Sequence, residues 1–130
     1  MDRFFSTPAM RPKIFEFLTV IKSRSDCIYL ARDIEKKVEV FQLDEEHTVT
    51  FHVKDKCDGD YIKHAIDTAL ARFDIRKNSA LDRNIRLGLA RYRSWVHQVN
   101  MFREKAADLR RQELKIVDEI FQIFLDEDDD

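Results

Sequence analysis

At 130 residues, 44% hydrophobic and 37% charged, the chain has the length and apolar content of one folded domain and is too apolar for disorder. Two glycines and two prolines in the whole sequence exclude collagen-like and turn-rich all-β architectures, which spend both residues freely. A net charge of −2 conceals segregation by sign: residues 1–60 carry 10 basic and 12 acidic side chains, residues 61–111 carry 12 and 5, and residues 112–130 carry 1 and 8.

Residues 1–11 read as a flexible lead-in whose apolar runs are too short for a signal peptide. Phe4-Phe5 has the look of a short docking motif there, and Thr7-Pro8 that of a proline-directed phosphosite. Residues 12–78 read as an α-β-β-β-α core. Pro12 suits the first turn of a helix, where its missing N–H is no loss, and Ile14, Phe17, Leu18 and Ile21 recur at helical spacing to about Ser23. Phe15 and Val20 fall off that face. Cys27 to Ala31 is a short run rich in β-favouring residues, read as a first strand. Lys37 to Leu43 reads as a second, although Leu30, Ile34, Val38 and Phe41 also share a helix face. In the third, His47, Val49, Phe51 and Val53 alternate with Thr48, Thr50, His52 and Lys54, the period of a strand with one buried side. Asp44-Glu45-Glu46 joins the last two as a hairpin loop. Asp60 is the expected cap of a helix carrying Ile62, Ala65, Ile66, Ala69, Leu70 and Phe73 to about Ile75.

From Ser79 to Leu125 the pattern is a long amphipathic helical segment, followed by an acidic tail at residues 126–130. Ser79 and Asp82 stand in capping-box positions. A seven-residue frame puts Leu81, Gly88, Trp95, Phe102, Leu109, Ile116 and Ile123 at one seam position, and Ile85, Tyr92, Val99, Ala106, Glu113 and Ile120 at the other. Only Gly88 and Glu113 of these 13 are not apolar. Leu89, Val96, Val117 and Phe124 widen the stripe beyond a two-stranded seam, toward a bundle or a sheet. A continuous helix of this segment would be about 70 Å long, against roughly 36 Å for a compact domain of this size. The segment is therefore expected either to project from the domain as a helical arm or to bend back as a helical hairpin, with Gly88 and Arg110 to Glu113 as the bends. The fold class expected is α+β: a small three-stranded antiparallel sheet flanked by helices, with this coiled-coil-like segment at the C-terminal end.

No constellation carries a reaction mechanism. His47, His52, Cys57 and His64 lie close in sequence, but His47 and His52 fall on opposite strand faces and no tight zinc spacing is present, so no metal is expected. Aligning Gly59 with the glycine of a calcium loop puts Lys54 and Lys56 at ligand positions. Cys57 has no oxyanion loop beside it, and neither glycine sits in a phosphate-binding pattern. The reading is a non-enzymatic assembly or adaptor subunit of the cytosol or nucleus, without cofactor, small-molecule substrate or membrane span. It would oligomerise or dock a protein partner through Leu81, Ile85, Tyr92, Trp95, Val99, Phe102, Leu109, Ile116 and Ile120. The alternative is a nucleic-acid-binding subunit using Arg83, Arg86, Arg91, Arg93, Arg103, Arg110 and Arg111 on phosphates, with the acidic tail competing for the same face.

Overall fold

The computed structural model describes residues 8–128. Phe4-Phe5, Thr7 and the last two acidic residues lie outside the described residues. In chain order the elements are α1 (Met10–Glu35), β1 (Val38–Gln42), β2 (Thr48–His52), a 3-10 turn at Val53–Asp55, α2 (Gly59–Arg72) and α3 (Ser79–Asp128). The class is α+β, with two strands among the described residues instead of three. None of the helices is long and apolar enough to cross a membrane.

The missing strand is Cys27 to Ala31, which lies inside α1. Val20, Cys27, Ala31 and Ile34 are all buried, at steps of seven, four and three that only a helix can align on one side. Burial of that stripe outweighs the weak β preference of five residues. The helix also starts two residues before Pro12, which keeps the proline inside the first turn.

Contacts divide the described chain into two compact units, one of residues 31–101 and one combining residues up to 30 with residues from 102 onward. In the contiguous unit, β1 and β2 form an antiparallel hairpin in the register Val38↔His52, Val40↔Thr50 and Gln42↔Thr48. The Asp44 carboxylate closes its loop by accepting from the backbone N–H of Glu46 at 2.9 Å and of His47 at 2.7 Å. Those bonds, the Glu46 amide first, hold Asp44 below the usual carboxylate range. Phe51 and Val53 point inward as the alternation predicts. On β1 the inward set is Glu39 and Phe41, leaving Val38 and Val40 exposed.

α2 begins two residues earlier than Asp60 suggests, because Asp58 is the cap and its side chain accepts from the Asp60 N–H at 3.0 Å. It ends where Asp74 turns left-handed (φ 54°) and the Ile75 N–H bonds back to the Leu70 carbonyl at 2.8 Å, a Schellman arrangement with aspartate in the place usually held by glycine. Asn78, one residue before the predicted cap, starts α3 by accepting from the Leu81 N–H at 2.8 Å.

The first part of α3 crosses the inner side of the hairpin. A Cβ at Gly88 would stand 2.6 Å from Phe41 Cε1 and 3.1 Å from Glu39 Oε1, so the break in the heptad pattern is the position where a sheet side chain needs room. Arg91 donates to Glu39 at 2.7 Å, giving the inward carboxylate its counter-charge. Tyr92, fully buried, donates to the His52 carbonyl and accepts from the Cys57 N–H, both at 2.9 Å. One phenol thereby ties the end of β2 and the loop before α2 to the helix. Neither Gly88 nor Arg110 to Glu113 interrupts α3, which is a single helix and not a hairpin.

Gly88→Ala gains about 1 kcal/mol of helix propensity. Displacing Phe41 should cost roughly 1–3 kcal/mol, so the expected result is a lower urea midpoint with unchanged helical circular dichroism. Burial pushes the Tyr92 phenol up to about 12 from 10.0. A raised folded value means that its contribution is fully present below pH 10 and is lost as pH climbs through 12. Tyr92→Phe should therefore be less stable at pH 8, and its deficit should shrink between pH 10 and 12 in parallel urea titrations. A deficit independent of pH would show that phenol ionisation is not linked to folding.

Candidate interaction surface

Every seam position of α3 is buried or half-buried within the chain. In the contiguous unit Leu81, Ile85, Tyr92 and Val99 are buried, and Trp95 is half-buried with the Lys37 ammonium 5.4 Å from its ring centre. In the second unit Ile116 and Ile120 join Met10 and Val20 in one cluster with Leu109 packed against it, while Phe102 is half-buried. Leu81, Ile85, Tyr92, Val99, Leu109, Ile116 and Ile120 thus pack within the chain's own units, while Trp95 and Phe102 remain half-exposed.

The second unit is a helix pair, residues up to 30 of α1 against residues from 102 of α3. Lys13 is paired with Glu119 and Arg24 with Glu113, so the two segments run antiparallel. Lys13 holds Glu119 below the usual carboxylate range through their hydrogen bond. Glu113, 6% exposed at a seam position, is where the heptad fails. Its Oε2 lies 2.8 Å from Arg24 Nε and its Oε1 accepts from Arg110 at 2.6 Å. The former contact is poorly aligned for a hydrogen bond, leaving it an ion pair between atoms with no other polar partner.

Two helices bury one stripe each, and this pair has more large apolar side chains outside than that stripe can hold. Phe15 is 74% exposed, Leu18 58% and Phe121 61%; Tyr29, Leu114, Val117 and Leu125 are exposed as well. Between the helices runs an open groove of about 610 Å³ lined entirely by Ile14, Phe17, Leu18, Val117, Ile120, Phe121 and Phe124. It offers no nucleophile, acid or base, so its chemistry is limited to taking up apolar side chains. The sequence signal for it is the widened stripe: Val117 and Phe124 belong to the residues that flank the seam.

The arginine face is largely occupied. Arg86 pairs with Asp82 at 3.0 Å, Arg91 with Glu39, Arg110 with Glu113, and Arg111 with Asp108. Arg83 and Arg93 are exposed in the contiguous unit, while Arg103 falls in the helix pair. Four of the seven predicted phosphate contacts are thus already bonded to carboxylates, which lowers the field they offer a polyanion. Among the described residues no three His, Cys, Asp or Glu gather as a ligand set. His52 is exposed on the outer hairpin face, and the His47 ring stacks on Phe73 at 3.9 Å. Both cysteines are free. No family model, curated protein or solved structure matches this chain.

Glu113 sets how the groove walls meet. Glu113→Ala leaves Arg24 without its counter-charge and opens a void, and should cost about 2 kcal/mol. Glu113→Leu fills the seam while Arg24, 30% exposed, swings to solvent, so its cost should stay within about 1 kcal/mol. Urea denaturation of the two variants side by side checks the ordering; equal losses would mean that the ion pair itself, not the filled space, sets the cost.

Proposed function

We propose that this protein is a non-enzymatic assembly subunit that docks another polypeptide through the groove of its helix pair. The observation that carries the reading is the imbalance in that unit: Phe15, Leu18, Val117 and Phe121 are left in water beside a core of comparable size. Contiguous apolar patches of this kind mark interaction surfaces, because an apolar side chain left in water forgoes about 25 cal/mol for each Å² it could bury. A partner helix laid along the groove would meet Leu18 and Phe121 as anchors. The seam itself, Leu81 to Ile120, serves this function indirectly, by holding the helices that carry the anchors.

The test is the size of the native particle carrying this chain in extracts of the cells that make it. The expected result is a particle larger than the 15.5 kDa chain. It should collapse to the monomer on Phe121→Glu, with helical circular dichroism unchanged, and should be unaffected by Arg83→Glu in the other unit. A wild-type chain that runs as a monomer in the extract overturns the reading, as does a particle indifferent to Phe121→Glu.

A further inference from the structure

We infer that the free edge of β1 is a dimer contact: a second copy of this chain lays its own β1 antiparallel to it, joining two hairpins into one four-stranded sheet. The contact uses only residues of the contiguous unit and none that line the groove. Across the hairpin the Val53 N–H donates to the Lys37 carbonyl at 3.0 Å and the Leu43 N–H to the His47 carbonyl at 2.9 Å, so the odd-numbered residues of β1 are those bonded to β2. Val38, Val40 and Gln42 therefore turn their N–H and C=O groups away from β2, and among the described residues no other group of the chain bonds to them. Proline, a lysine or a bulge commonly guards such an edge. Here the register is unbroken from Val38 to Gln42, and the outer side chains of the strand are Val38, Val40 and Gln42. On β2, by contrast, Tyr92 already donates to the His52 carbonyl, α2 packs against the strand, and the outer side chains are Thr48, Thr50 and His52.

A strand edge centred on Val40 is its own complement. With a two-fold axis through that position, Val40 meets Val40 and Val38 meets Gln42 of the other copy, and every outward N–H and C=O of these residues finds its opposite. The exposed apolar surface is centred there too. Val40 is 53% and Leu87 51% exposed, and both border an open cleft of about 190 Å³ between β1 and the α3 stripe of Asn84, Leu87 and Arg91. The axis that pairs the strands also lays Val40 and Leu87 of one copy against those of the other. Beneath the sheet there is room for both helices. α3 reaches β1 through Arg91 and β2 through Tyr92, so it lies under the hairpin and not under its free edge. Two strand spacings, about 10 Å, then separate α3 from its counterpart, the ordinary distance between packed helices. A foreign strand would satisfy the backbone alone, whereas a second copy supplies the backbone and the apolar match in one register.

The contact is small, so sedimentation of the purified full chain should show monomer passing to dimer at roughly 10–100 μM. As the dimer forms, amide hydrogen exchange should slow at Val38, Val40 and Gln42 and stay unchanged at Thr48 and Thr50 on the other edge. Val40→Pro deletes the donor on the axis without touching a β1–β2 bond, and should weaken dimerisation by about tenfold or more with helical circular dichroism unchanged. Leu87→Glu, on α3 and away from the strand, sets two carboxylates near the axis and should weaken it by roughly the same factor. Phe121→Glu should leave the dimer as it is. A purified chain still monomeric at about 1 mM overturns the inference, as does a dimer indifferent to both edge variants or one that protects Thr48 and Thr50 instead. Slow exchange at Val38, Val40 and Gln42 in the monomer would mean that the chain itself covers the edge, and overturns it too. At the dilution of a cell extract this dimer dissociates, so the groove and the strand edge stand or fall separately.

Discussion

A fifty-residue helix must put its apolar side against something along its whole length, and the rest of this chain is arranged around that demand on α3. Different material meets it in the two units: the inner side of a two-stranded hairpin and α2 in one, and α1 in the other. The polar interruptions are accommodated by the same logic. Gly88 is absent of side chain where Phe41 enters, and Glu113 is charged where Arg24 and Arg110 converge. A two-stranded hairpin is at best marginal alone in water, so Phe41, Phe51 and the inward Glu39 depend on the helix for a dry side and a counter-charge.

The helical stripe was legible in the sequence because thirteen positions reinforce one period, and no local preference competes over six heptads of the pattern. Shorter signals were less secure. Cys27 to Ala31 looks like a strand when read alone, and the helical face that claims Cys27 and Ala31 shows only when Val20 and Ile34 are counted with them. In Lys37 to Leu43 the two valines suggest one inward face, whereas Phe41 and Leu43, which remove more apolar surface from water, set the opposite one. Glu39 is carried inward by their choice and is tolerable there only because Arg91 approaches from a residue 52 positions away. That contact is tertiary, and no local pattern encodes it. The groove was half legible: Val117 and Phe124 mark a stripe too wide for a seam and Phe15 falls off the apolar face of its helix, but Leu18 shares that face and gave no sign of being left outside.

The arginines illustrate how a basic composition can be spent internally. A run of 12 cations against 5 carboxylates in residues 61–111 invites a polyanion. In the folded chain, however, Arg91 serves the inward Glu39, Arg110 serves Glu113, and Arg86 and Arg111 are bound one helical turn away along α3. Charge segregation in the sequence becomes, in the structure, charge matching between elements. The acidic end of α3 uses the same rule, with Glu119 on Lys13 and Glu113 on Arg24.

The helix pair is also discontinuous in the chain: its two halves are separated by the whole of residues 31–101. A ribosome delivers α1 first and the segment from residue 102 some seventy residues later, about 4 to 14 s at ordinary elongation rates. During that interval the hairpin, α2 and the start of α3 are still being made, and Met10, Phe17 and Val20 wait without their partners. Vectorial synthesis thus imposes a delay on the molecule that its finished contacts do not reveal: the apolar face of α1 is made long before the part of α3 that covers it.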